Sequence, residues 1–346
     1  MRAAWKILAD IRPFCGGWEK EHGESMILSV SRRTDIPNYY GEWFANRIRE
    51  GFLYVRNPMN AHQISRIDLS ADVVDGIVFW TKNPAGIMNR LEDFKDYAYY
   101  FQFTLTGYGK DVEPNLPEKR GKLISIFQDL SERIGKEKVI WRYDPILLSP
   151  KYTVEYHLKA FEEIAGKLAG YTEKAVISFV DQYMKIQRNM KALSVSDMTG
   201  EEMTFLAGEM AEIASRYHLT VETCAEQMDF QDVGIRHGSC IDKELLEKLS
   251  GCRLEGKKDK NQRKECGCLE SMEVGAYNTC PTGCKYCYAN VGDDKVRESR
   301  KQYQPDSPLL CGKPDAGDII TDRKVKSLKT NQVGIEWDFQ KNIDMR

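Results

Sequence analysis

Residues 26–33 read Met-Ile-Leu-Ser-Val-Ser-Arg-Arg. A short run of apolar and small residues closes on two arginines. Such a run suits a strand buried on both faces, and the arginines mark its exit from the sheet. Five more stretches of this kind follow: Gly76–Trp80 (GIVFW), Ala98–Leu105 (AYYFQFTL), Lys138–Arg142 (KVIWR), Lys174–Val180 (KAVISFV) and His218–Thr223 (HLTVET). Helical periodicity fills most of the gaps. It is clearest at 39–51, 118–135, 154–170 and 199–217, with Thr153 and Thr199 placed as N-caps of the last two. Residues 52–68 read as an inserted hairpin. Strands alternating with helices predict parallel β/α units. The expected fold is α/β, a six-unit parallel (β/α) partial barrel, TIM-like, over residues 26–250. A short N-terminal extension (1–25) precedes it. A cysteine-rich segment (251–325) and a polar tail (326–346) follow. Tyr97, Tyr99, Tyr100, Phe101 and Phe103 read mainly as core of the third strand.

The bulk composition narrows the class. The chain has 346 residues, 42% hydrophobic and 29% charged, with a net charge of −2. That balance buries a sizeable core and argues against a surface given over wholly to nucleic acid. No apolar run approaches the roughly 18 residues of a membrane span. The first residues carry charges within their apolar stretch and do not read as a signal peptide. The expectation is a cytoplasmic protein with no membrane partner.

Ten cysteines are many for a reducing compartment, where they serve more often as ligands or nucleophiles than in disulfides. Eight of them fall within 224–287. The densest motif is Cys280-Pro-Thr-Gly-Cys284-Lys-Tyr-Cys287. Three thiolates spaced this way can bind three irons of a [4Fe–4S] cluster and leave the fourth open. An electron carrier needs all four covered, whereas an open iron accepts an exogenous ligand. A structural zinc site is the competing reading, but its usual C-x2-C pairs leave Cys280 unexplained.

The C-x3-C-x2-C pattern with Tyr286 before the last cysteine resembles the signature of the radical S-adenosylmethionine (SAM) superfamily. In that family the amine and carboxylate of SAM chelate the open iron, and the aromatic residue lies against the adenine. Two departures stand out. The cysteines follow the sixth strand instead of the first, and Thr81-Lys82-Asn83 occupies the place of the usual Gly-Gly-Glu stretch. With SVSRRTDIP, FWTKNP, RYDPI, TCAE, GSCID and YNTCPTGCKYCYAN, the chain is also similar to domain-of-unknown-function family 1848 from Met26 to about residue 323. The cysteines of that family look like a displaced radical SAM motif. The resemblance implies a radical SAM enzyme of unknown substrate, served by an external electron donor such as ferredoxin or flavodoxin.

Active sites of parallel α/β folds form where the strands end. The candidate catalytic residues are therefore Arg32, Arg33, Lys82, Arg142, Asp144 and Glu222, with Thr81, Asn83 and Ser178 beside them as cofactor contacts. Asp35, Thr104, Thr106, Asp181, Gln182 and Glu226 also follow strand ends. Bland readings stand next to these: a turn at Lys82-Asn83, a bracing ion pair between Arg142 and Asp144, a structural acceptor at Glu222. Cys224, Cys240, Cys266 and Cys268 form a second group. They can hold a second Fe–S cluster or a zinc, act as a chemical thiol, or simply pack. Cys15, Cys252 and Cys311 are set aside as non-ligands. The run 257–264 (KKDKNQRK) reads as a solvated linker. Three further classes stay open: a zinc- or Fe–S-stabilised binding module for nucleic acid, an electron carrier without SAM chemistry, and a nucleic-acid repair lyase.

Overall fold

A computed structural model of the chain describes residues 24–180 and 186–330. The expected extension up to residue 23, the positions Asp181 and Gln182, and the tail beyond 330 lie outside the described residues. All six anticipated strands form: β1 (Ile27–Val30), β2 (Gly76–Thr81), β3 (Tyr99–Thr104), β4 (Val139–Ile146), β5 (Lys174–Phe179) and β6 (Thr220–Thr223). Two strands of two residues each, β7 (Arg236–His237) and β8 (Met272–Glu273), extend the edges. The order is β8-β1-β2-β3-β4-β5-β6-β7, and every pairing is parallel. The sheet therefore has eight strands where six were expected. Its end strands β7 and β8 do not pair with each other, so the sheet is open and no closed barrel forms among the described residues.

Strands that follow one another in space as in sequence, joined by crossovers of one hand, keep their helices on one face. The helices are α1 (Gly41–Glu50), α2 (Ile124–Ile134), α3 (Val154–Leu168) and α4 (Gly200–Arg216). Thr153 caps α3, and Thr199 forms a capping box with Glu202 at α4, as the sequence suggests. Phe44, Phe127, Phe161 and Met210 from these helices share one core with Phe79, Phe101, Trp141 and Ile177. Its aromatic centre is tight: Phe79 stacks on Phe101 at 4.6 Å and Trp141 on Phe161 at 4.7 Å between ring centroids. Each such ring contributes roughly 1.5–3 kcal/mol by burial.

The intervening residues of each strand face the other way. There Ile27, Val78, Tyr100, Ile140 and Val176 pack against Cys240, Ile241, Cys266, Cys268 and Leu269, together with Leu246 of α5 (Lys243–Ser250). The C-terminal third of the chain thus covers the sheet face that carries no crossover helices. Further along the strands this face turns polar, at Gln102, Thr104, Arg142 and Ser178. That change of character along one face opens a cavity at the strand ends. The hairpin Phe52–Arg56/Gln63–Asp68 forms as expected. It joins Ile319–Asp322 in a separate three-stranded sheet. No helix among the described residues is long and apolar enough to cross a membrane.

Candidate functional site

The strand ends and the cysteine segment enclose a cavity of about 340 Å³. Arg32, Arg33, Thr81, Lys82, Arg142, Asp144 and Ser178 all line it, and so does Tyr286. All seven candidate ligands reach it as well: Cys224, Cys240, Cys266, Cys268, Cys280, Cys284 and Cys287. Residues as far apart in sequence as Arg32 and Cys287 are brought to one place.

Two sequence candidates fall elsewhere. Glu222 pairs in register with Val176, two residues short of Ser178 on the neighbouring strand. It is buried at that level, bonded to Lys174 Nζ at 2.9 Å and Arg236 Nη2 at 2.8 Å, and is absent from the cavity wall. Asn83 caps the turn after β2 through Ala85 N and bonds Asn38, so it braces the loop. Glu226 accepts from Phe179 N at 2.8 Å. The run 257–264 is more than a solvated linker, because Gln262 and Arg263 reach the cavity. Asp259 in that run is buried and accepts the amide of Asn261.

The loop of Cys280, Cys284 and Cys287 is fastened from several sides. Tyr40 donates its hydroxyl to Thr279 O at 2.6 Å, Asn290 donates to Cys280 O at 2.6 Å, and Asn115 donates to Pro281 O at 2.8 Å. Lys285 N bonds Val112 O at 2.9 Å. Gly283 sits at φ +73°, the left-handed region that glycine fills without strain. Burial pushes the thiols of Cys280, Cys284 and Cys287 above their ordinary pKa. They stay protonated until a cation takes the place of the proton. Lys82 already works in that direction on Cys284.

Lys82 belongs to a buried network centred on Glu113, a residue the sequence did not single out. Glu113 accepts from Lys82 Nζ at 2.8 Å, from Thr106 Oγ1 at 2.9 Å, and from Lys119 Nζ and the Tyr286 hydroxyl. Burial alone would raise this carboxyl. Lys82 and Lys119 outweigh it and hold the pKa at about 2. Tyr286 also receives Lys82 Nζ at 2.7 Å, and its ring lies 5.2 Å from the ammonium. The residue before the last cysteine is therefore oriented by a carboxylate and an ammonium from two other loops.

Asp35 is the second buried carboxylate at this end. It takes Thr81 Oγ1 at 2.7 Å and Lys82 N at 2.8 Å, yet burial still raises its pKa to about 6. Glu273 on β8, also missed in the sequence, receives Arg32 N at 2.9 Å and Ser29 Oγ at 3.1 Å. These bonds tie the cysteine segment to the end of β1.

At the exit of β4 Arg142 grips Asp144 through Nε at 3.0 Å and Nη2 at 2.5 Å, and Ser178 donates to the other Asp144 oxygen. Burial alone would raise Asp144, but Arg142 holds it below its ordinary range. Arg32 and Arg142 both lie over the Trp80 ring, at 5.0 and 5.3 Å. Arg33 lies over Tyr277 at 4.7 Å.

A sequence model described as a domain of unknown function, DUF1848, matches residues 27–289. This chain belongs to the DUF1848 family. The matched span opens at β1 and closes two residues past Cys287, so in this DUF1848 protein the sheet, both cysteine groups and the Glu113 network fall within the family region. A search of curated proteins finds no match. Among the described residues, no three His, Cys, Asp or Glu side chains converge on one point as they would around a single ion. A cubane asks for something else, since its thiolates bind separate irons. Cys280, Cys284 and Cys287, from one fastened loop, all line one cavity beside Lys82.

Proposed function

We propose that this chain is a radical SAM enzyme of unassigned substrate, with Cys280, Cys284 and Cys287 holding a [4Fe–4S] cluster. The observation that carries this reading is the course of the C-x3-C-x2-C loop. It lies at the far end of the sequence, yet it lines the cavity formed by the exits of β1, β2, β4 and β5. Neither a zinc module nor an electron carrier requires its cysteines to face a cavity walled by cations and hydroxyls. We read the open sheet as a (β/α)6 barrel parted at one seam, because its first six strands run in sequential order with their helices on one face.

When bound, the cluster would supply one electron to SAM and so release a 5′-deoxyadenosyl radical. The chain's own residues have separable parts in this reading. Arg33 and Lys82 line the cavity with the loop and can meet a carboxylate. Thr81 and Ser178 offer hydroxyls at the cavity wall. Tyr286, fixed by Glu113 and Lys82, presents an aromatic surface to a purine. The Arg142–Asp144 pair shapes the wall at the exit of β4.

The test is anaerobic reconstitution with iron and sulfide, followed by dithionite and SAM. The reading expects 5′-deoxyadenosine to accumulate, and expects Cys284→Ala to abolish it. A reconstituted protein that leaves SAM intact contradicts the proposal.

A further inference from the structure

The second group of thiols is built differently from the first. Cys224 Sγ and Cys240 Sγ stand 2.9 Å apart. Cys240, Cys266 and Cys268 are buried in one cluster against which Cys224 packs, and all four line the same cavity. Four thiols from three separate segments thus gather in one place: one follows β6, one precedes α5, and two come from Cys266-Gly-Cys268. Ligands of one tetrahedral ion at about 2.3 Å place their sulfurs about 3.8 Å apart, wider than the 2.9 Å between Cys224 and Cys240, and the four do not yet converge on one point. Binding an ion would part Cys224 from Cys240 and draw Cys266 and Cys268 in beside them.

A second observation concerns charge. Arg142 is 3% exposed and sets Nη1 2.9 Å from Cys240 Sγ. Arg32 has Cys240, Cys266 and Cys268 as electrostatic neighbours. Its Nη2 is shut off from solvent and has no hydrogen-bond partner, and the same holds for Trp80 Nε1. Trp80 packs against the cluster that contains Cys240, Cys266 and Cys268. Buried donors without acceptors cost about 1–3 kcal/mol each. Neutral thiols are weak acceptors, whereas thiolates are strong ones. Four thiolates around a divalent ion carry a net charge of −2, which two guanidinium groups neutralise.

We infer that Cys224, Cys240, Cys266 and Cys268 form a second metal centre of the tetrathiolate class, distinct from the Cys280–Cys287 loop. Loading it forms four metal–sulfur bonds and releases the four thiol protons to solvent. Arg32 and Arg142 are positioning residues that balance the resulting charge, and Arg32 Nη2 and Trp80 Nε1 donate to the sulfurs. The inference does not depend on the SAM reading.

The experiment uses the full chain with Cys280, Cys284 and Cys287 changed to Ser, so that the first site is absent. Metal-free, reduced protein is titrated with Co²⁺ in one arm and reconstituted with iron and sulfide in the other. The expected result in the first arm is about one Co²⁺ per chain with intense sulfur-to-cobalt charge transfer and tetrahedral ligand-field bands. Acid-labile sulfide retained in the second arm would identify the same centre as a cluster site. Either signal must vanish when Cys240→Ser and Cys268→Ser are added. Arg142→Lys, which keeps the charge, should keep the metal, whereas Arg142→Met should bind it at least several-fold more weakly. In the unmutated chain, loading should protect Cys224, Cys240, Cys266 and Cys268 from alkylation, read peptide by peptide, so a misfolded variant cannot decide the outcome. No metal in either arm, metal that survives loss of Cys240 and Cys268, or unprotected thiols in the loaded chain overturns the inference.

Discussion

Replacing Glu113 by Gln removes the acceptor on which Lys82, Lys119 and the Tyr286 hydroxyl converge. Its carboxyl is 1% exposed and held at about 2, against an ordinary value of 4.5. That difference, at about 1.4 kcal/mol for each factor of ten, is roughly 3.5 kcal/mol of native-state stabilisation. Because the folded pKa is depressed, this stabilisation is complete above pH 4.5 and is lost as the pH falls through 2. Breaking a buried pair from one side typically costs about 3–5 kcal/mol. The two lysine side chains keep 16% exposure each, which places the expectation at the lower end. Glu113→Gln should therefore lose about 3 kcal/mol in urea denaturation at pH 7. The two lysines do not respond alike. Lys82 is raised above its ordinary pKa, whereas burial and the neighbouring Lys82 leave Lys119 lowered. Lys119→Met should accordingly cost little by itself and recover part of the loss when combined with Glu113→Gln. A loss below about 1 kcal/mol, the range of an exposed pair, or strict additivity of the two substitutions, would refute this account of the network.

Three further outcomes follow from the same geometry. His157 is buried between the Tyr143 hydroxyl at 2.9 Å and Leu147 O at 2.8 Å, and burial lowers its pKa from 6.5 to about 4. Its neutral form stabilises the fold above pH 6.5, and that contribution is lost as the pH falls toward 4. The stability difference between the native chain and His157→Gln should thus shrink by about 2.5 kcal/mol between pH 7.5 and 4.5; a gap independent of pH rejects it. A Cβ on Gly275 would lie 1.8 Å from Ser31 Oγ and 2.6 Å from Ser31 Cβ, so Gly275→Ala should push the cysteine segment off the end of β1. The expected loss is about 1–3 kcal/mol, with faster proteolysis near residue 275. An unchanged melting temperature would mean that the close approach is absent. Arg142→Ala leaves the Asp144 carboxylate, which is 19% exposed, without its buried partner and should cost about 3 kcal/mol, measured by urea denaturation; a cost below about 1 kcal/mol would show that the pair behaves as an exposed one.

The strands were legible because each pairs apolar content with β-branched or aromatic residues, and parallel strands buried on both faces leave little else to choose. Thr153 and Thr199 were legible as caps because the hydroxyl sits just before an amphipathic run. Closure was not legible. Whether a sequential β/α sheet meets itself depends on what covers its helix-free face, and here Cys240, Leu246 and Leu269 fill that role from a stretch whose one helix, α5, is only eight residues long. Arg142, Asp144 and Ser178 could be placed from strand ends alone. Glu222 could not, since its depth is set by a register with Val176 that one strand does not reveal. Glu113 and Glu273 were missed for a related reason. Each is an isolated carboxylate in a loop or a two-residue strand, and its role exists only through Lys82, Lys119 and Tyr286, or Ser29 and Arg32, brought in from distant positions.

The central claim is that the Cys280–Cys287 loop holds a cluster with one iron open to SAM. Electron paramagnetic resonance of the reduced, reconstituted chain with and without SAM tests it most directly. The account predicts a [4Fe–4S]⁺ signal that shifts on adding SAM and disappears in Cys284→Ala. A cluster signal indifferent to SAM, or no signal dependent on Cys284, would contradict it.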